Sequence, residues 1–193
     1  MVTPREVNYS TMFNKKKRKK RSIQISRKLR DILYGYIMSN DWINQSTKQK
    51  RLFVKWLYKK FRIPLEHTRD ICKSFRNMWY KPRMNIQKKR KSLPSTIACF
   101  FSIPFVTVWF AGSGTKIIGQ RSIKFEVTYW TPEERLLLKH LFKTQFNING
   151  RILRAGVSKW ILVISGKEYS KFRTLLTQMD LIPRFFPHKL YKK

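Results

Sequence analysis

The chain has 193 residues, with 43 Lys plus Arg against 10 Asp plus Glu and a formal charge of +33 at pH 7. Apolar residues at 42% and aromatics at 15% are ample for a core of one or two compact domains, which excludes a wholly disordered basic protein. So large a charge repels itself and calls for a polyanion to neutralise it, while two cysteines, Cys72 and Cys99, speak against a disulfide scaffold or a cysteine-rich metal site.

Residues 1–25 read as a basic arm. Lys15, Lys16, Lys17, Arg18, Lys19, Lys20 and Arg21 are consecutive, and their mutual repulsion keeps the segment extended until phosphate surrounds it. Ser26 is placed to cap a helix from Arg27, with Leu29, Ile32, Leu33 and Tyr36 on its apolar face. This helix runs into LYGYIMSND (Leu33–Asp41), where Gly35 and Ser39 stand at i and i+4 as small residues on one face. Ser46 or Thr47 precedes another helix, which buries Leu52, Phe53, Trp56, Leu57 and Tyr58 and turns Lys48, Lys50, Arg51, Lys55, Lys59 and Lys60 towards an anion. Pro64 ends it, and a third helix is expected over Glu66–Trp79 with Ile71, Cys72, Phe75 and Trp79 inward. Residues 81–92, KPRMNIQKKRKS, have few apolar anchors and read as a basic linker that lays Lys88, Lys89, Arg90 and Lys91 on phosphate.

The stretch Pro104–Gly114 organises the chain. It is apolar from Phe105 to Gly112 except for Thr107, and its length falls short of a membrane span, so membrane insertion is not expected. On a helical period Phe105, Val108 and Gly112 share a face, predicting a buried helix with one very small residue near its end. A buried strand is the competing assignment, but Pro104 suits a first helical turn and the glycines suit its end. Beyond it Ile117-Ile118 and the alternating Ile123, Phe125, Val127 and Tyr129 predict a hairpin turned near Gly119-Gln120, its other face carrying Ser122, Lys124, Glu126 and Thr128. Thr131-Pro132-Glu133-Glu134 starts a helix to about Phe146, with Leu136, Leu137, His140 and Leu141 towards the core. His140 there is a packed or partly exposed helix residue rather than a ligand. Asn149-Gly150 turns into a strand over Arg151–Arg154, which returns through Trp160, Leu162 and Ile164. Ser165-Gly166-Lys167-Glu168 repeats the capping pattern before a last helix with Tyr169, Phe172, Leu175 and Leu176 inward. The tail IPRFFPHKLYKK suits docking on the body or stacking and phosphate contact.

Read as αββαββα with a first helix ending in a Gly-rich polar turn, the second half resembles the LAGLIDADG homing endonucleases. The similarity is to the organellar branch whose second motif is WFMDDG-like, and it rests on Trp109-Phe110, the strand ending in Phe125, the TPEE start and the closing IP…KLYK. In the first half LYG at Leu33–Gly35 and Gln45-Ser46 match. The resemblance covers about residues 26–193 and implies an α+β fold. Two pseudo-symmetric αββαββα-type units, the first with shortened strands, would carry basic N- and C-terminal extensions, divided at 1–25, 26–92 and 93–193. It also implies two helices packed through Gly35, Ser39, Val108 and Gly112 at a pseudo-twofold axis, and saddle-like sheets that grip a nucleic-acid duplex.

In that family the metal-binding acid precedes the last glycine position of each motif. Matching puts Asn40 there in the first, with Asp41 following, and Ser113 in the second, after Gly112. Two-metal cleavage needs anionic oxygen ligands, and Asn40 and Ser113 are neutral. The resemblance therefore implies a scaffold that keeps the duplex-binding shape with no catalytic residues, no metal and no other cofactor; Asp41 could build at most half a site. Expected phosphate contacts are Lys15 to Arg21, Lys88 to Lys91, and the sheet-side Lys116, Arg121, Lys124, Arg151, Arg154 and Lys159. Loss of the nuclease centre and a basic excess in both arms and the linker favour RNA. The leading expectation is a non-enzymatic protein of the mitochondrial ribosome, in the large subunit, held by rRNA and neighbouring ribosomal proteins. The alternative is a LAGLIDADG-type maturase whose partner is an intron RNA; an active DNA homing endonuclease conflicts with Asn40 and Ser113.

Overall fold

The computed structural model describes residues 25–39, 47–62, 72, 75, 78–83 and 86–190, with 47–50, 81–83 and 86–90 described as backbone only. Ser26 starts the first helix as its position predicts: its hydroxyl accepts from the Leu29 N–H at 3.3 Å and opens α1 (Arg27–Met38). Helix α2 (Thr47–Phe61) follows, then a hairpin of β1 (Tyr80–Arg83) and β2 (Ile86–Lys91). After a 3-10 turn at Ile97–Cys99 comes α3 (Ile103–Ser113), with Pro104 in its first turn and the Gly114 N–H donating to the Phe110 carbonyl at its end. The stretch on which the chain turns is thus a helix, buried from Phe105 to Gly112.

Helices α1 and α3 lie side by side. The Ser102 hydroxyl ahead of α3 donates to Asp31 Oδ2 at 2.8 Å, and a Cβ at Gly35 would overlap the Phe105 carbonyl. The close backbone approach therefore falls at Gly35, where the missing side chain permits it. Val108 and Gly112 are buried along α3, and the Ser39 hydroxyl turns back to the Tyr36 carbonyl at 3.0 Å.

The second half continues as β3 (Gly114–Lys116), β4 (Ser122–Glu126), α4 (Pro132–Phe146), β5 (Arg151–Arg154), β6 (Trp160–Ser165) and α5 (Lys167–Thr177), with α6 (Leu181–Phe185) closing the chain. Its strands form one antiparallel four-stranded sheet in the order β3-β4-β6-β5. Alternation sends Ile123, Phe125, Leu162 and Ile164 to one face, where they are fully buried. There Phe125 meets Trp109 of α3 at 4.2 Å between ring centroids, Phe142 of α4 at 5.8 Å and Phe172 of α5 at 6.0 Å. The other face is left to Lys124, Glu126, Arg151, Leu153, Ile161 and Val163.

Several expectations are corrected. Residues 81–92 are a hairpin rather than a linker, with Tyr80 opposite Lys91 and Arg83 opposite Ile86; the Ser92 N–H closes its base on the Trp79 carbonyl at 2.9 Å. So lysine-rich a strand carries no apolar alternation to betray it. Of the expected third helix, Cys72, Phe75, Met78 and Trp79 are helical and the rest lies outside the described residues. Helix α4 buries Leu138, Leu141 and Phe142, leaving Leu136 and Leu137 at 60% and 37% exposure, because the helix is rotated from the expected face. Strand β4 ends at Glu126; the chain turns from Val127 to Trp130, and Tyr129 is exposed rather than inward. Ser165 does not cap α5. Gly166, at φ 61°, holds that place without a side-chain bond, and Glu168 accepts from the Asn149 N–H at 2.9 Å instead.

Candidate nucleic-acid interface

The last turn of a helix leaves carbonyls without intrahelical partners, at the negative end of the peptide dipoles. Both spine helices end on a lysine. At the end of α1, Lys91 Nζ donates to the Ile37 and Met38 carbonyls, and it lies 5.6 Å from the ring centroids of both Trp79 and Trp130. Lys91 is 8% exposed. It leaves the phosphate-facing surface where the sequence put it, because the end of β2 drops against the helix terminus between two indole faces.

At the end of α3, Lys189 Nζ donates to the carbonyls of Phe110 at 3.2 Å, Ala111 at 2.7 Å and Gly114 at 2.8 Å, with the Phe110 ring 5.7 Å away. Burial lowers its pKa to about 8, so the amine keeps its proton at neutral pH. Ile37 and Met38 stand in the same relation to Asn40 as Phe110 and Ala111 do to Ser113. Two lysines, one near the end of each half of the chain, thus reach the last-turn carbonyls of α1 and α3. Ser113 donates its hydroxyl back to the Trp109 carbonyl at 3.2 Å.

This end does not fit a cleavage metal. A hard divalent cation needs anionic oxygens, and here the helix offers a neutral hydroxyl turned inward and an ammonium already seated on the carbonyls. Among the described residues no group of three or more His, Cys, Asp or Glu could hold a metal ion. Asn40 and Asp41 lie outside the described residues.

The open face of the sheet carries the charge that can meet a duplex. Lys124 and Arg151 both stand opposite Val163, one on each side of it, so the two cations share a row. Arg151 Nη2 also donates to Ser165 Oγ at 3.3 Å. Lys159 pairs with Glu126 at 3.1 Å, which ties part of the positive rim to an acid. Arg154 stands opposite Trp160, on the other face, and donates through Nε to the Gly156 and Val157 carbonyls of its own hairpin loop at 3.2 and 3.1 Å. Lys116 stands opposite Ile123 and reaches the Leu190 carbonyl at 3.4 Å. With Arg121, Tyr169 and Arg173 it lines a cavity of about 420 Å³ instead of joining the open face. Lys88, Lys89 and Arg90 lie on β2, described as backbone only, and Lys15 to Arg21 lie outside the described residues.

Sequence reasoning missed Lys189, which it folded into a basic tail. The signal was the apolar bracket of Phe186 and Leu190, buried at 0% and 2% exposure, which carries the intervening 3-10 turn Pro187–Lys189 into the body.

Residues 52–172 match the family model described as the LAGLIDADG DNA endonuclease family. Among solved structures, the homing endonuclease I-WcaI bound to its DNA recognition sequence superposes with a TM-score of 0.59 at 15% identity, covering 87% of this chain and 86% of that one. The N-terminal LAGLIDADG domain of DUF199/WhiA gives a TM-score of 0.40 at 11% identity over 79% and 82% of the two chains. No curated protein sequence matches the chain.

Proposed function

The chain belongs to the LAGLIDADG DNA endonuclease family, and on that footing we propose that it is a non-cleaving member that grips a nucleic-acid duplex and serves as a maturase, assisting an intron RNA to fold for splicing. The ribosomal reading, with rRNA and ribosomal proteins as partners, is withdrawn: the family match and a homing-endonuclease fold over 87% of the chain point to a duplex-gripping scaffold instead.

The observation that carries the proposal is the contrast between the open sheet and the helix end. The sheet face is built, with Lys124 and Arg151 in one row, whereas the end of α3 offers the neutral Ser113 hydroxyl, bonded back to the Trp109 carbonyl, and a lysine ammonium rather than the anionic oxygens that two-metal cleavage needs. A duplex-binding surface that has lost its cutting centre retains a use in holding a folded RNA, whose helices offer phosphate on several sides of a chain charged at +33. I-WcaI, which shares the fold, was solved with DNA on it, and a structured RNA presents a duplex to the same kind of face. An organellar setting goes with this proposal.

The test is to recover RNA crosslinked to the native protein and to measure, with purified protein, both splicing of the recovered transcript and nicking of duplex DNA in Mg²⁺. Recovery of one intron whose splicing the protein accelerates is the expected result. Mg²⁺-dependent nicking that Asp41→Ala abolishes would overturn it, as would recovery dominated by DNA.

A further inference from the structure

We propose that the cavity enclosed by the β3–β4 hairpin, α5 and the C-terminal turn is a separate phosphate site that takes a phosphomonoester, either the terminal phosphate of a nucleic-acid strand or that of a free mononucleotide. The site goes beyond the proposed function and lies apart from the open face of the sheet.

Register sets its place. Lys116 stands opposite Ile123, so it belongs to the helix-covered side of the sheet and not to the row of Lys124 and Arg151. Tyr169 and Arg173, one helical turn apart on α5, line the same cavity of about 420 Å³, and Gln120 and Arg121 enter it from the hairpin turn. That turn is pinned on both sides. The Gly166 N–H ahead of α5 donates to the Arg121 carbonyl at 3.1 Å, and the Ile117 N–H donates to the Ser122 carbonyl at 3.0 Å. Leu190 sets the remaining wall, its carbonyl accepting from Lys116 Nζ and from the Tyr169 hydroxyl, each at 3.4 Å.

The chemistry of this recess is that of an anion site. Lys116, Arg121 and Arg173 are cations, and no acid is found among the described residues that line it. Leu190 engages one of the three N–H groups of Lys116. Gln120 Oε1 accepts from the Ser122 hydroxyl at 3.2 Å, which leaves its amide N–H groups to donate. A guanidinium fork matches two oxygens of a phosphate, and a backbone already fixed in place loses little freedom on binding. Three positive charges in one recess suit the dianion of a phosphomonoester better than the single charge of a phosphodiester. Walls formed by a helix and the tail also admit the end of a strand rather than its middle.

The test uses the full chain in two arms. In the first, one single-stranded oligonucleotide is compared in three forms, with hydroxyl at both ends, with a 5′-phosphate and with a 3′-phosphate. In the second, adenosine monophosphate is compared with adenosine by calorimetry. Phosphate should tighten binding by about tenfold in at least one arm, and Arg121→Ala and Arg173→Ala should each remove most of that gain. Both arginines are exposed, so neither substitution opens the core. Arg154→Ala, which deletes the same charge from another hairpin, should leave the gain intact. A gain confined to the strands assigns the site to a strand end, and a gain with the mononucleotide assigns it to a free nucleotide. Absence of a gain in both arms, or a gain that survives both pocket substitutions, would overturn the proposal. No readout involves splicing, so the maturase reading can fail while this site stands.

Discussion

Lys189 couples the tail to α3, and its titration offers a test at the scale of one residue. Burial lowers its pKa to about 8, from an ordinary 10.5. Between those values the unfolded chain keeps a proton that the folded chain has released, so this group alone makes stability rise with pH, by up to about 3 kcal/mol. Lys189→Met removes that increment. Urea unfolding of both proteins from pH 7.5 to 10.5 should show the wild type gaining on the variant throughout the range. Gly35 makes a second prediction at the same scale. A methyl group there meets the Phe105 carbonyl, so Gly35→Ala should destabilise by about 2 kcal/mol even though alanine is the better helix former, with overpacking outweighing propensity.

Helix α4 shows what an element's start contributes. Thr131 Oγ1 accepts from the Glu134 N–H at 3.2 Å and Glu134 Oε2 accepts from the Thr131 N–H at 2.8 Å, the reciprocal cap that the sequence announced. The second oxygen of Glu134 takes the Leu93 N–H at 2.8 Å, which ties α4 to the segment just beyond Lys91. Thr131→Ala should therefore cost about 1 kcal/mol, and Glu134→Ala about 2 kcal/mol because it also strands a partly buried backbone donor. Denaturant midpoints measured side by side give the ordering. The local chemistry of caps was legible at Ser26 and Thr131, where a side chain reaches its own backbone, and illegible at α5, where Gly166 caps nothing and the useful carboxylate, Glu168, reaches Asn149 in another loop. The hairpin of β1 and β2 was illegible for a related reason: its pairing is fixed at its base by Trp79 and Ser92, not by alternation within it.

Across the whole molecule, the charge of +33 makes any nucleic-acid complex salt-sensitive. Lys124 and Arg151 share the open row, so replacing either with alanine should flatten the dependence of log K on log salt by about 0.7 to 1, and replacing both by about twice that. Arg154→Ala should leave the slope unchanged, since its guanidinium is engaged with its own hairpin loop on the opposite face. Duplex titrations at several salt concentrations, with Arg154→Ala as the control, test the assignment of that face.

Sequence by itself determined the basic character, the central buried helix, the alternating strands of the second half and two of the helix caps, because each depends on residues close together in the chain. Tertiary structure alone decided which cations meet solvent and which turn inward. Lys91 finds its carbonyls 54 and 53 residues away and Lys189 finds one 79 residues away, so neither destination leaves a periodic trace. An ammonium can be buried only where carbonyls and aromatic faces have already been assembled around it, and that assembly is a property of the packed helices.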